Sequence, residues 1–168
     1  VIIADGPSTT DADAIAYSGD FGATNGDDHR VFIVDPKVKV FKDGNVVDDH
    51  ASARVAGMIA RSDLERGFWW SPSNTAINGV VGVSRPIDFQ LGDKSARANI
   101  LNEKKVATII RQGGFRLWGN RTASGDAKWA FLSVVRTADM INDSLLRAHL
   151  WAVDRNITKT YIEDVTNS

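Results

Sequence analysis

The sequence predicts an α/β fold, in which helices pack on a largely buried sheet. Two short apolar runs, residues 1–4 and 31–34, have the composition of buried parallel strands, which are apolar on both faces. Elsewhere in the chain, apolar residues recur at intervals of three and four, as they do on one face of a helix. Asp, Gly and Pro separate these segments and favour turns.

The first half of the chain is predicted to alternate strands with helices. In chain order we expect a strand at 1–4, a helix at 12–18 capped by Asp11, a loop at 22–28, a strand at 31–34, an edge strand at 37–41, a hairpin turn at 43–45 and a helix at 51–64. Asp48 or Asp49 should cap this last helix, because a carboxylate accepts hydrogen bonds from the N–H groups of a first turn. Its small residues predict close packing on the sheet: Ala51, Ala53, Ala56, Gly57 and Ala60.

The second half begins with an aromatic-rich loop over residues 67–91, which contains a short strand candidate at 80–83. Asn102 is a good N-cap, and apolar residues at 106, 109 and 110 follow it at helical spacing. We therefore expect a helix from residue 102 that stops at the double glycine 113–114. The remaining predicted elements are a strand at 115–118, a turn at 119–120, a strand at 129–135, a helix at 138–153 and a helix or strand at 157–162.

Composition limits the classes of protein that the chain can represent. The 168 residues are 43% hydrophobic and include no cysteine, which fits about one domain and excludes disulfides and thiolate chemistry. No apolar run approaches the ~20 residues of a membrane-spanning helix, so we expect no membrane insertion. The chain starts without Met or a basic signal-peptide region and opens directly on an apparent core strand. We interpret it as a fragment of a longer protein.

Charge is distributed unevenly along the chain. Residues 1–93 carry a net charge of −6, residues 94–159 carry +7 and the last nine residues carry −2. Two oppositely charged halves suit head-to-tail association into rings or filaments, although chance segregation on a solvated surface would give the same pattern. The chain has no arginine-rich run and a pI near 6.3, so we expect no nucleic-acid partner.

Candidate enzyme motifs are few. Two Asp-Asp-His tripeptides, at 27–29 and 48–50, offer oxygen and imidazole ligands to a metal, but both fall at predicted turns or caps, where these residues are favoured locally. Asp35, His50 and Ser71 or Ser84 follow the order of a subtilisin-like triad without a Gly-x-Ser-x-Gly elbow.

Other residues that could carry chemistry have simpler structural interpretations. His149 is expected to be a helix residue, and no phosphate-binding glycine motif occurs. The five tryptophans, which could form a carbohydrate platform, are expected to be packing anchors. We therefore expect no catalytic, cofactor-binding or metal-binding residues and no cofactor.

Several long segments resemble one family in order and with compatible spacing. They include Gly-Phe-Trp-Trp-Ser-Pro-Ser-Asn at 67–74 and the capped segment ending in Trp-Gly-Asn-Arg-Thr at 102–122; the others are 1–7, 31–36, 82–89 and 149–165. Together they resemble the contractile tail sheath proteins of P2-type phages and R-type pyocins. Family members often have Cys after Asn-Arg-Thr, where this chain has Ala123. Family chains also extend well past this sequence at both ends.

The resemblance implies a structural protein rather than an enzyme. Sheath subunits stack as sixfold rings around a tail tube and contract when the baseplate triggers them, which drives the tube through the host envelope. The resemblance implies a subtilisin-like α/β lobe without protease chemistry at residues 1–138, and the start of a carboxy-terminal sheath domain at 139–168. Terminal arms, absent from this sequence, link neighbouring subunits by adding strands to their sheets.

The implied partners are further copies of the subunit, the tail tube protein, the baseplate and the tail terminator. The implied location is the virion tail, assembled in the bacterial cytoplasm. Without the arms, we expect the present chain to be monomeric or weakly associated. Two alternatives stay open at this point. One is a metal-dependent or serine hydrolase with a subtilisin-like lobe. The other is a tail or secretion-apparatus subunit other than the sheath, such as a tube protein; tube proteins are typically small and β-rich, and the long predicted helices argue against one.

Overall fold

The structure is a computed structural model, and it describes residues 1–21 and 28–167. The strands are β1 (Ile2–Asp5), β2 (Val31–Val34), β3 (Val38–Lys42), β4 (Asn45–Asp49), β5 (Thr75–Ala76), β6 (Gly82–Val83), β7 (Val106–Arg111) and β8 (Phe115–Trp118). The helices are α1 (Asp11–Gly19), α2 (Ala51–Arg66), α3 (Arg97–Glu103), α4 (Leu132–Ala148) and α5 (Lys159–Asn167). Short 3₁₀ segments lie at Asp28–Arg30, Ala127–Trp129 and Leu150–Ala152.

A five-stranded sheet forms the centre of the fold, with strand order β1-β2-β7-β8-β5. The strands β1, β2 and β7 run parallel, whereas β8 is antiparallel to β7 and β5 is antiparallel to β8. A second, three-stranded antiparallel sheet has the order β4-β3-β6. Parallel strands connected through helices confirm the predicted α/β class.

The central sheet is covered on both faces, as parallel sheets require. One core cluster contains Phe32 and Ile109 of the sheet together with Val55 of α2. The other contains Ile33 of the sheet together with Leu101 of α3. Successive residues of β2 therefore enter opposite core clusters, which explains why residues 31–34 are apolar without alternation.

The chain divides into two compact units, Val1–Arg136 and Thr137–Ser168. The first contains both sheets, the helices α1 to α3 and the beginning of α4. The second contains the rest of α4 and α5, and many of its apolar side chains are exposed, among them Ile141, Leu146 and Ile157. The boundary predicted at residue 138 stays a prediction, as does the interpretation of 139–168 as the start of a further domain.

The predicted helix from residue 102 is wrong. Asn102 lies inside α3, which ends at Glu103, and residues 106–111 form the buried strand β7. Val106 and Ile110 enter one core cluster and Ile109 enters the other. A strand that is buried on both faces shows apolar residues at the same intervals as a helix does, so the local pattern could not separate the two.

The predicted strand at 129–135 is also wrong. A 3₁₀ segment ends at Trp129, and α4 already begins at Leu132, six residues before the predicted helix start. Leu132 and Val135 are both buried, three residues apart, which is helical spacing. The helix ends at Ala148 instead of residue 153, and α5 resolves the last segment as a helix.

Smaller corrections concern strand positions. The strand β1 is parallel to β2 but lies at the sheet edge, so Ile2 is 64% exposed instead of buried. The strand β3 is central in its sheet and not an edge strand. Residues 22–27 of the predicted loop lie outside the described residues, and the strand predicted at 80–83 is shortened to β6.

The predicted helix caps and the packing of α2 are corrected as well. Thr10 rather than Asp11 caps α1, by accepting a hydrogen bond from the Asp13 N–H. In α2, Ala51 is buried in the core, whereas the other four small residues, at positions 53, 56, 57 and 60, face solvent. Those four do not pack on the sheet because α2 turns the face that carries Val55, Met58 and Ile59 towards the core.

Candidate functional site

Asp35 is the most buried acidic residue of the described chain, with no exposed surface. It follows β2 directly, at the edge of the sheet where the parallel strands end. Its carboxylate accepts a hydrogen bond from the Ser8 N–H at 2.6 Å and pairs with the Arg85 guanidinium. Burial raises the pKa of Asp35, against the lowering effect of the hydrogen bonds from Ser8.

Arg85 extends this pair into a network. Its guanidinium also pairs with Asp11 in the first turn of α1, and Asp11 in turn accepts hydrogen bonds from Arg97 at 2.6 and 3.0 Å. Burial, followed by the nearby charge of Arg97, lowers the pKa of Arg85. The network joins the end of β2, the start of α1 and the segment between β6 and α3. The carboxylates of Asp35 and Asp11 each pair with at least one guanidinium. The arrangement therefore holds chain segments together and does not present a reactive group.

Asp35, His50 and Ser71 follow the order of a subtilisin-like triad in the sequence, but in the structure each contacts other residues. Ser84 is the other serine that fits this order. Asp35 is occupied by Arg85 and Ser8, whereas the exposed His50 ring lies 3.4 Å from Asp5. Ser71 accepts a hydrogen bond from the Ser73 N–H within its own loop. Within the described part of the chain, no hydrogen bond or ion pair joins these side chains into a relay.

The Asp-Asp-His tripeptides serve local structure where they are described. Asp48 pairs with Lys39 across β3 and β4 at 3.2 Å, and Asp49 accepts a hydrogen bond from the His50 N–H. In the other tripeptide, Asp27 lies outside the described residues, and the His29 ring stacks on Trp129 at 5.4 Å. Across residues 1–21 and 28–167, no three His, Asp or Glu side chains are grouped as a metal site.

The tryptophans are more exposed than expected of packing anchors. Trp69, Trp70 and Trp151 have between 42% and 58% of their surface exposed. Trp118 does pack, with its ring 4.5 Å from that of Phe89.

Among the described helices, none is long and apolar enough to cross a membrane.

The sequence does not predict the charge network of Asp35, Arg85, Asp11 and Arg97. Arg85 and Asp35 are 50 residues apart, and Arg97 and Asp11 are 86 residues apart. The only available signal was that Arg85 precedes a proline, which favours an extended or turn conformation and says nothing about a partner.

Comparison with known proteins assigns the family. The family model described as the phage tail sheath protein central domain matches residues 1–123. The chain belongs to the phage tail sheath family. Because that family is structural, the chain is not an enzyme, and the hydrolase alternative is not supported.

Individual relatives agree with the family. The chain is 51% identical over 168 residues to a Pseudomonas aeruginosa (strain UCBPP-PA14) protein whose name describes a prophage major tail sheath protein. It is 42% identical over 118 residues to the tail sheath protein of Escherichia phage P2. These matches cover 99% and 70% of the chain but only 42% and 30% of the relatives, so the chain spans less than half of each relative's length.

Solved structures show the same fold. The chain matches a subunit of the anti-feeding prophage baseplate with a TM-score of 0.77 at 24% identity, over 98% of this chain and 41% of that one. It also matches a subunit of the PVC extracellular contractile injection system, a sheath complex in the contracted state, with a TM-score of 0.71 at 24% identity, over 97% of this chain and 44% of that one. At these identities the likeness establishes the fold.

Proposed function

We propose that the parent of this chain is the structural subunit of a contractile tail sheath. The observation that carries the proposal is the 51% identity to a protein named as a prophage major tail sheath protein, over 99% of this chain. The subunits stack as rings around a tail tube and contract to drive that tube through a host envelope. The partners are further copies of the subunit, the tube protein, the baseplate and the tail terminator.

The α/β unit is proposed to act as a near-rigid body during contraction. Its central sheet is covered on both faces, and the Asp35–Arg85–Asp11–Arg97 network ties the end of β2 to the starts of α1 and α3. A close-packed interior does not deform continuously, so a large change of the assembly takes place by repacking contacts between subunits. We also propose that this α/β unit has the subtilisin-like lobe that the family resemblance implies.

Residues 139–168 are proposed to begin the next sheath domain. Within this unit, the apolar side chains of α4 and α5 are exposed, and the matched relatives are more than twice as long as the chain. Apolar helix faces of this kind are normally covered by further chain. The parent protein is assembled in the bacterial cytoplasm and resides in the virion tail.

The direct test is negative-stain electron microscopy of the full-length parent protein expressed alone. Hollow, striated tubes are the expected result, since sheath subunits polymerise in the contracted form. A parent protein that stays dispersed both alone and with its tube protein would contradict the proposal.

A further inference from the structure

A groove of about 310 Å³ lies between the segment around β6 and the β7–β8 hairpin. Its walls are mainly apolar, from Val81, Val83, Pro86, Ile109 and Phe115. Pockets that bind small molecules usually range from about 300 to 1,000 Å³, so this groove has room for little more than one large side chain.

Arg111 gives the groove its polarity. It is the only charged residue among the described residues that line the groove, and it is exposed. In the described part of the chain, its guanidinium has no carboxylate or carbonyl partner. A groove with apolar walls and an unpaired guanidinium fits an apolar side chain that is followed closely by a carboxylate.

The tip of the β3–β4 hairpin has the complementary chemistry. Phe41 and Val46 are directly opposite each other on the two strands and are 67% and 57% exposed. Asp43 lies in the turn between them, and its carboxylate has no partner among the described residues. Lys42 points to the opposite face from Phe41, because successive strand side chains alternate. The hairpin tip therefore presents an aromatic side chain beside a free carboxylate.

The tip and the groove lie on different parts of the three-stranded sheet. The tip joins β3 to β4, whereas β6, at the other edge of that sheet, forms part of the groove wall. Phe41 is largely exposed, so it does not fill the groove of its own copy. A contact between the tip of one copy and the groove of another is heterologous, and such contacts build rings or helical filaments.

We propose that the hairpin tip of one sheath subunit docks into the Arg111 groove of the next, with Phe41 in the groove and Asp43 against Arg111. The inference rests on the proposed function, since the partner is a second copy of the same chain. The opposite charges of Asp43 and Arg111 supply the electrostatic complementarity of this pairing.

Mixed single-cysteine variants of the full-length parent test this contact. Val46→Cys places a thiol on the tip and Val81→Cys places one on the groove wall, and both positions are exposed. A short bis-maleimide should give dimers when the two variants are mixed and none with either variant alone. The matched control is Val46→Cys mixed with Leu64→Cys, since Leu64 is 90% exposed on α2. Mixed Val46→Cys and Val81→Cys samples that yield no more dimer than this control overturn the proposal.

Charge reversal tests the ionic part separately. Asp43→Arg or Arg111→Asp should each lower the cross-linking yield by roughly three- to tenfold, because like charges then face each other. The double variant restores opposite charges and should recover most of the yield. If the double variant gives no higher cross-linking yield than either single variant, the pairing of Asp43 with Arg111 is overturned. Two substitutions that only damaged the fold would not restore the yield when combined.

The outcome is separable from that of the proposed function. Striated tubes that form without the Val46–Val81 cross-link overturn the docking contact and leave the sheath function standing. If tubes form neither from the parent alone nor with its tube protein, the sheath function fails, and the cross-link in the dispersed protein still decides whether the tip binds the groove.

Discussion

At the scale of single residues, Asp35 and Arg85 should behave as a mutually dependent buried pair. Replacing Asp35 with Ala leaves the Arg85 charge with fewer partners in a largely buried position. Breaking one side of a buried ion pair costs about 3–5 kcal/mol. We therefore expect the free energy of unfolding of Asp35→Ala to fall by about that amount in urea titrations of this chain.

The control for that substitution is Asp43→Asn. Asp43 is exposed in a hairpin turn with a φ of 51°, which Asn also tolerates, so loss of its charge should change the free energy of unfolding by less than about 0.5 kcal/mol. Similar losses for the two variants would mean that the Asp35–Arg85 pair adds nothing specific to stability.

Two glycines should respond in opposite ways to alanine. Gly119 has a φ of 139°, and an added Cβ would lie 2.9 Å from the Ala107 Cα, so Gly119→Ala should destabilise by more than about 1 kcal/mol. Gly57 lies inside α2 with nothing within 4 Å of an added Cβ, so Gly57→Ala should stabilise by about 0.5–1 kcal/mol. Thermal unfolding followed by circular dichroism would measure both, and a melting temperature of Gly119→Ala at or above that of the unsubstituted chain would contradict the steric argument.

At the scale of elements, α2 takes its N-terminal cap from a distant strand. His50 precedes α2 and makes no side-chain cap, whereas Asp5 at the end of β1 accepts hydrogen bonds from the Ser52 N–H at 2.9 Å and the Ser52 hydroxyl at 2.6 Å. The sequence prediction placed this role on Asp48 or Asp49, which are the nearest acidic residues. The choice between near and distant carboxylates depends on how the strand and the helix meet.

Asp5→Ala should therefore cost about 0.5–2 kcal/mol, which is the usual cost of losing a helix cap. Ser52→Ala is the matched control, because it removes the hydroxyl bond and keeps the N–H bond to Asp5. Chemical denaturation should rank Asp5→Ala below Ser52→Ala in stability, and the reverse order would remove the capping interpretation.

The helices and strands also show which parts of the fold can be predicted from the sequence. The α/β class, the strands β2 and β8, the hairpin turn and the helix α2 were predicted because their signals are local. The strand β7 was mistaken for a helix because burial on two faces imitates helical spacing. The Asp35–Arg85 network and the Arg111 groove were not predicted, since each depends on which distant segments the sheet brings together.

At the scale of the whole molecule, the 168-residue chain should be monomeric or only weakly associated. The proposed strand-exchanging arms lie outside this sequence, and a single docking contact of one hairpin tip is small compared with a stable interface. Sedimentation velocity at micromolar concentration should give one species near 18.3 kDa. Stable hexamers or tubes of this chain alone would contradict the expectation.

Assembly of the full-length parent should weaken as salt is raised. The charge of −6 on residues 1–93 and +7 on residues 94–159 can attract across subunits, and exposed charges are screened over a Debye length of about 10 Å at 0.1 M salt. Light scattering should show slower or less complete polymerisation at high ionic strength. Assembly rates that do not change with salt would exclude a role for these charges.

The pairing of β1 with β2 also determines how the fold answers a mechanical load. The two strands are parallel and aligned over four residue pairs, so tension that enters through Val1 along the strand direction loads these rungs in shear, all at once. Tension that enters at Gly44, between β3 and β4, would instead peel an antiparallel hairpin one rung at a time. In single-molecule pulling, attachment at Val1 should give a higher rupture force than attachment at Gly44. The α/β unit would then resist unfolding more strongly when the load enters through β1.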